Sequence, residues 1–95
     1  NVYPIEVEEI IESIDGVSEA SVLGVKDEEY GEVLVAFVVG DASEDQVVET
    51  CKSELASFKV PKRVERIDEL PRTSTGKVLK RELIRRLEGA EELDD

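Results

Sequence analysis

The chain has 95 residues, 24 of them acidic against 12 basic with no histidine, for a formal charge of −12. That length holds one small domain, and an acidic field of this size repels nucleic-acid phosphates and anionic lipid heads, which argues against a nucleic-acid or membrane-surface binder. No apolar run approaches the roughly 20 residues that span a bilayer, and no charged-then-apolar leader is present, so the chain reads as soluble and cytoplasmic.

The chain opens Asn1-Val2-Tyr3-Pro4, contains no Met and enters a helical pattern at once, which suggests a piece of a longer polypeptide. Val7, Ile10, Ile11 and Ile14 recur at i, i+3, i+4 and i+7, Pro4 suits a first helical turn, and Glu6, Glu8 and Glu9 sit near the positive end of the helix dipole. They predict a helix over about 4–14, ended by Asp15-Gly16. The β-branched runs from Ala20 to Val25 and from Glu32 to Val39, on either side of the polar segment Lys26 to Gly31, predict an antiparallel strand pair. Ser43 and Gln46 make a capping box ahead of Val47, Val48, Cys51 and Leu55, which share one stripe of a helix over about 44–56. Val64, Arg66 and Ile67, after Pro61, predict a short third strand, and Leu79, Leu83, Ile84 and Leu87 a last helix, with the polar loop Leu70 to Lys77 between them. The order α-β-β-α-β-α implies an α+β fold, about three helices on a small, mainly antiparallel sheet of about three strands. Residues 1–88 form the domain, and 89–95 are expected to be an acidic, disordered tail.

The charge is unevenly spread along the chain. Residues 1–57 carry 15 acids against two bases, residues 58–86 ten bases against four acids, and residues 87–95 five acids, for local sums of −13, +6 and −5. The basic stretch is where something anionic would be received. Cys51 is alone, so no internal disulfide forms, and without His the usual structural zinc sets and His-based acid–base chemistry are excluded. Cys51 lies on the apolar stripe of its helix with no cation to lower its pKa, the pattern of a core thiol and not of a nucleophile. A domain this small has room for a core but not for a deep substrate cavity as well, so any chemistry is expected to be completed by another domain.

Gly76-Lys77 invites comparison with a phosphate loop, which needs a Gly five residues before that Gly and a Ser or Thr after the Lys. Pro71 and Val78 stand there instead, so it is not one. What remains is Lys77 at a loop tip, with Gly76 allowing close approach of the backbone and the hydroxyls of Thr73, Ser74 and Thr75 keeping the loop solvated. An ammonium so placed can stabilise the charge that accumulates where a carboxylate and a phosphate are brought together. A solvated surface lysine in a turn is the plain alternative.

The run Leu70-Pro71-Arg72-Thr73-Ser74-Thr75-Gly76-Lys77-Val78-Leu79-Lys80-Arg81-Glu82-Leu83 closely resembles the closing signature of the AMP-forming adenylating enzymes, the superfamily of acyl-CoA synthetases, peptide-synthetase adenylation domains and beetle luciferases. Asn1 to Glu8 resembles the segment just after that family's interdomain hinge, and Val22-Leu23-Gly24-Val25, Gly31-Glu32 and Ala36-Phe37-Val38-Val39 resemble the strands between. The likeness covers residues 1 to about 87 in order and in spacing. It implies the small C-terminal lid domain of such an enzyme, whose large N-terminal domain lies outside this sequence, and it favours the functional reading of Lys77.

The resemblance also implies a chemistry. Such enzymes join a carboxylic acid to ATP, releasing pyrophosphate and leaving an acyl-adenylate; the lid then rotates and a thiol, usually of CoA, attacks. ATP and CoA are the implied substrates, with Mg2+ expected in the full enzyme but not bound by this domain. The lysine matching Lys77 bridges the acyl carboxylate and the α-phosphate in the first step, and Gly76 lets its loop approach the adenylate. In similar CoA ligases the positions matching Phe58 and Lys62 contact the CoA nucleotide, the ring stacking on adenine and the cation meeting phosphate. Val60 stands where some relatives carry an Arg, so that phosphate contact is weaker here or falls to Lys59 or Arg63. Phe58 as core and Lys62 as a solvated strand end is the alternative, with equal support.

Peptide-synthetase domains usually read Asn-Gly-Lys followed by Asp, with a carrier domain beyond. Here Thr75-Gly76-Lys77 is followed by Val78 to Arg81, and Leu93-Asp94-Asp95 is not a peroxisomal signal. An acid–CoA ligase of the fatty-acyl or aromatic-acid type is therefore favoured over an adenylation domain that delivers to a carrier protein. The implied partners are the large domain of the same polypeptide, ATP or acyl-adenylate, CoA, and a lysine acetyltransferase that would switch Lys77 off by removing its charge. A stand-alone acidic interaction module and a nucleic-acid binder using residues 58–86 are the readings from other classes.

Overall fold

The computed structural model describes residues 4–93, which form α1 (Pro4–Glu12), β1 (Val17–Asp27), β2 (Gly31–Gly40), α2 (Glu44–Glu54), a 3-10 turn (Ser57–Lys59), β3 (Arg63–Arg66) and α3 (Lys80–Leu93). Asn1, Val2 and Tyr3, part of the likeness to the segment after the hinge, lie outside the described residues, as do Asp94 and Asp95.

The order α-β-β-α-β-α is the expected one, but the sheet is mixed, with one antiparallel and one parallel pairing. β1 and β2 make an antiparallel hairpin from Val17 opposite Gly40 to Asp27 opposite Gly31, and β3 runs parallel to β2, from Val35 beside Arg63 to Val38 beside Arg66. The strand order is β1-β2-β3. A parallel neighbour needs a crossover connection, and the segment carrying α2 and the 3-10 turn supplies it, returning the chain to the end of the sheet where β2 begins. Hydrophobic pattern identifies a strand but carries no record of its direction beside a partner.

The hairpin closes through Asp27. Its carboxylate accepts from the Glu29 N–H at 2.8 Å and the Tyr30 N–H at 3.0 Å, and Gly31 takes φ 83°, so a three-residue loop ends on a left-handed glycine as hairpin twist favours. Pairing then extends both strands past the β-branched runs, to Glu19 and Val17 at one end and to Lys26 and Asp27 at the other. On the outer edge of β1, Glu8 of α1 accepts from the Val22 N–H at 2.8 Å, giving an edge-strand donor a partner.

Side chains leave the sheet to both faces. Val22, Leu34, Ala36, Val38 and Val64 pack with Val7 and Ile11 of α1 and Val47 and Cys51 of α2; Leu23, Val35 and Phe37 pack on the opposite side with Leu70 and with Leu83 and Leu87 of α3. The molecule is thus helix, sheet, helix in layers, and a sheet covered on both faces explains why β2 is a continuous apolar run instead of an alternating one. At about 25 cal/mol per Å² of apolar area removed from water, these two cores dominate the stabilisation.

The helices differ from expectation at their ends. α1 stops at Glu12, and a tight turn with Ile14 N–H donating to Ile11 O at 3.0 Å still buries Ile14. Ser43 Oγ caps α2 by accepting from the Gln46 N–H at 3.1 Å, but the Gln46 side chain reaches Asp15 O at 3.4 Å instead of closing the capping box. Of the α3 stripe only Leu83 and Leu87 are buried, while Leu79 and Ile84 are 37% and 40% exposed, because one sheet face covers a narrow strip of that helix. The backbone of α3 continues to Leu93, into the segment expected to be disordered, where Glu, Ala and Leu are strong helix formers.

Candidate functional site

Pro71 to Leu79 folds into a small closed turn. Arg72 pairs with Val78 as an antiparallel bridge, the Thr73 N–H donates to Lys77 O at 2.8 Å and the Leu79 N–H to Pro71 O at 2.8 Å. At the tip the Gly76 N–H donates to Thr73 O at 2.9 Å and the Lys77 N–H to Thr73 Oγ1 at 3.1 Å, with the Thr75 hydroxyl 2.9 Å from that of Thr73. Two of the three hydroxyls expected to solvate the loop are therefore used within it. Gly76 has φ 92°, and no atom lies within 4 Å of where a Cβ would sit, so the backbone conformation and not space calls for glycine here. Arg72 ties the turn down: Nη1 donates to Gly76 O at 2.6 Å, and Nη2 pairs with Glu19 of β1. Lys77 is exposed, and among the described residues its ammonium has no ion-pair partner.

Phe58 lies in the 3-10 turn and is 67% exposed, which removes the core alternative for it. It helps line a groove of about 710 Å³ with Tyr30, Leu34, Leu55, Val60 and Lys62. Lys62 is not a freely solvated strand end, since its Nζ stands 3.7 Å from the centre of the Tyr30 ring. Lys59 pairs with Glu6 of α1 at 3.1 Å, and Arg63 with Glu65 at 2.6 Å. The two bases offered in place of the missing Arg at position 60 are therefore both engaged by carboxylates, while Val60 packs partly buried against the α1–α2 core.

Tyr30 was not singled out by the sequence. An aromatic inside the acidic turn Asp27 to Gly31 was the available signal, but its place beside Lys62 depends on the parallel pairing of β2 and β3. The structure brings Phe58 and Lys62 together on one groove and keeps Gly76 and Lys77 away from it. The groove is at the end of the sheet where the β1–β2 hairpin turns, and the Lys77 turn is held at the opposite end by Glu19, which lies across from Val39. From Val33 to Val39 at ~3.3 Å per residue, β2 separates them by roughly 20 Å.

Burial pushes the Cys51 thiol up from its ordinary value, in keeping with its place in the core. Hydrogen bonds from the Tyr30 and then the Glu29 backbone N–H hold the Asp27 carboxyl below its ordinary value. Among the described residues no group of three or more Asp, Glu, Cys or His side chains is placed to hold a metal ion, and no helix is long and apolar enough to cross a membrane.

The sequence pattern of the AMP-binding enzyme C-terminal domain matches residues 6–77. The chain is 48% identical over 83 residues to a long-chain-fatty-acid–CoA ligase of Mycobacterium tuberculosis, an alignment that covers 84% of this chain and 16% of that protein. It is 44% identical over 85 residues to a 2-succinylbenzoate–CoA ligase of Bacillus cereus, covering 87% of this chain and 18% of the relative. The crystal structure of ATP-bound MatB from Rhodopseudomonas palustris matches with a TM-score of 0.84 at 42% identity, over 87% of this chain and 17% of that one. The chain therefore spans less than a fifth of the length of these relatives. Because that pattern spans most of the chain, up to Gly76-Lys77 at the tip of the closed turn, the chain belongs to the AMP-binding enzyme C-terminal domain family.

Proposed function

We propose that this domain is the lid of an ATP-dependent, AMP-forming carboxylic acid–CoA ligase that acts on a fatty or aromatic acid. The observation that carries the reading is the exposed Lys77 ammonium, raised on a closed turn and unpaired among the described residues. In a domain with twice as many acids as bases, a lysine with no ion-pair partner among the described residues has its ammonium open to another anion. Docked on the large domain, Lys77 would reach the acyl carboxylate and the α-phosphate as they meet, stabilising the charge that builds up between them. Gly76, with no side chain, lets the turn approach the adenylate closely.

The groove at the other end of the sheet supports a second role. Phe58 and Tyr30 offer apolar ring faces for the adenine of CoA, and Lys62 lies beside them for a phosphate. Lys59 contributes by its bond to Glu6 and not as a free cation. Since the two ends are roughly 20 Å apart along β2, one orientation of the lid cannot present both to the same reacting centre, and a rotation between adenylation and thioester formation answers that. The names of the relatives, a fatty-acid and an aromatic-acid CoA ligase, favour CoA over a carrier protein as the acceptor.

The remaining parts belong to the whole enzyme. Mg2+ is expected to accompany ATP in the full enzyme and to be held there by the large domain. A lysine acetyltransferase acting on the exposed Lys77 would remove its charge and stop adenylation. Dependence on ATP and CoA favours a cytoplasmic enzyme. The direct test is Lys77→Ala in the full-length enzyme. Acid-dependent pyrophosphate exchange is expected to fall at least about a hundredfold, while thioester formation from supplied acyl-adenylate is largely kept; normal exchange would overturn the assignment.

A further inference from the structure

We propose that Arg72, braced by Glu19, is a positioning residue for Lys77. The inference rests on the adenylation role given to that lysine above. A lysine that must sit between two reacting anions has to be placed to within a fraction of an ångström. The turn bearing it is closed at its base by bonds between Thr73 and Lys77 and between Pro71 and Leu79, all internal to the turn. Such bonds fix its shape, and Leu70 and Val78 seat its base on the second core, but neither sets the direction of the tip that carries Lys77.

Arg72 supplies that direction. Nη1 donates to Gly76 O at 2.6 Å, and Nη2 pairs with Glu19, which belongs to β1 and not to the turn. A guanidinium is planar and rigid, so its two bonds tie the Gly76 carbonyl to the sheet along fixed directions. The same peptide unit carries the Lys77 N–H, which donates to Thr73 Oγ1 at 3.1 Å. The peptide plane leading into Lys77 is thus gripped on both sides, by Arg72 at its oxygen and by Thr73 at its nitrogen. Glu19 is itself set by an irregularity of the sheet: the β1–β2 register shifts between Val17 and Glu19, the kind of bulge that re-aims a side chain beside a functional site. Both partners are about 40% exposed, so the ion pair contributes little to overall stability, and its consequence is the aim of the turn.

The test compares Arg72→Met, Arg72→Lys and Glu19→Gln with Lys77→Ala in the full-length enzyme. It measures kcat and KM for acid and ATP in pyrophosphate exchange, the rate of thioester formation from supplied acyl-adenylate, and the thermal midpoint. Arg72→Met is expected to lower the exchange kcat about tenfold to a hundredfold with KM unchanged. Arg72→Lys, which can make one of the two bonds, should recover part of the loss. Glu19→Gln should fall in the same direction by less, and all three should keep the thioester step and the thermal midpoint. Should Arg72→Met fail to fold, Glu19→Gln, a surface change that leaves both hydrophobic cores intact, decides the matter by the same measurements. Wild-type exchange in the Arg72 and Glu19 variants alongside a crippled Lys77→Ala would overturn the positioning role while leaving the function intact, as would a rise in KM for ATP at constant kcat. Normal exchange in Lys77→Ala would overturn the function and the positioning role with it.

Discussion

Phe58 leaves most of its surface in water, an arrangement that forgoes apolar burial. Its value lies in what it can stack on. Phe58→Ala is expected to raise KM for CoA in the thioester step by about 5-fold to 150-fold, the equivalent of ~1–3 kcal/mol for one base on one aromatic ring, with the thermal midpoint unmoved; an unchanged KM would remove the adenine role. Gly76 and Lys77 were singled out by the likeness of their loop to the family's closing signature, since on the residues alone a solvated lysine in a turn was the plainer reading. Lys59 and Arg63 were not legible, since a run of bases looks alike on paper and only Glu6 and Glu65 distinguish the engaged cations from Lys62. Cys51 was legible for the simplest reason, its place on an apolar helical stripe, and burial raises its pKa as that place requires.

Elements meet at two glycines and an aspartate whose importance lies in geometry. Gly40 has φ 134°, and a Cβ there would stand 2.0 Å from Gly16 O, the same oxygen that accepts from the Asp41 and Ala42 N–H groups. Gly40→Ala is expected to destabilise the domain by on the order of 3 kcal/mol or more, read from the denaturant midpoint. Asp27 governs the hairpin end. Because its folded pKa lies below the ordinary 3.8, its carboxylate stabilises the turn above that pH, and the contribution is lost as pH falls through the lowered value. Asp27→Ala should therefore lower stability at neutral pH, and the gap to wild type should close in strong acid; a gap independent of pH would exclude the turn bonds as its cause. Helix and strand positions were readable from period and caps, while the parallel placement of β3 was not, since it is decided by where α2 packs.

Charge acts across the whole molecule. The ten bases of residues 58–86 do not gather in one place: Lys62 lies in the groove at the hairpin end, Arg72 and Lys77 in the turn at the other, and Lys80, Arg81, Arg85 and Arg86 on α3. Attraction of CoA phosphates to Lys62 should weaken with added salt, as exposed charges about a Debye length of ~8–10 Å apart are screened at 0.10–0.15 M. In Lys62→Ala, KM for CoA should rise and depend less steeply on salt than in wild type; an equal slope would show that Lys62 does not meet the phosphate.

The amino-acid order alone indicated the main helices and strands and the core thiol, because local periodicity and capping act over a few residues, while Lys77 stood out only through the likeness of its loop to a family signature. The direction of β3, the partners of Lys59 and Arg63, the place of Tyr30 beside Lys62, and the grip of Arg72 and Glu19 on the Lys77 turn came only from the folded chain. Each of these joins residues that no local pattern pairs, and such pairings are chosen by how two faces of one sheet are covered, a choice no short segment makes for itself.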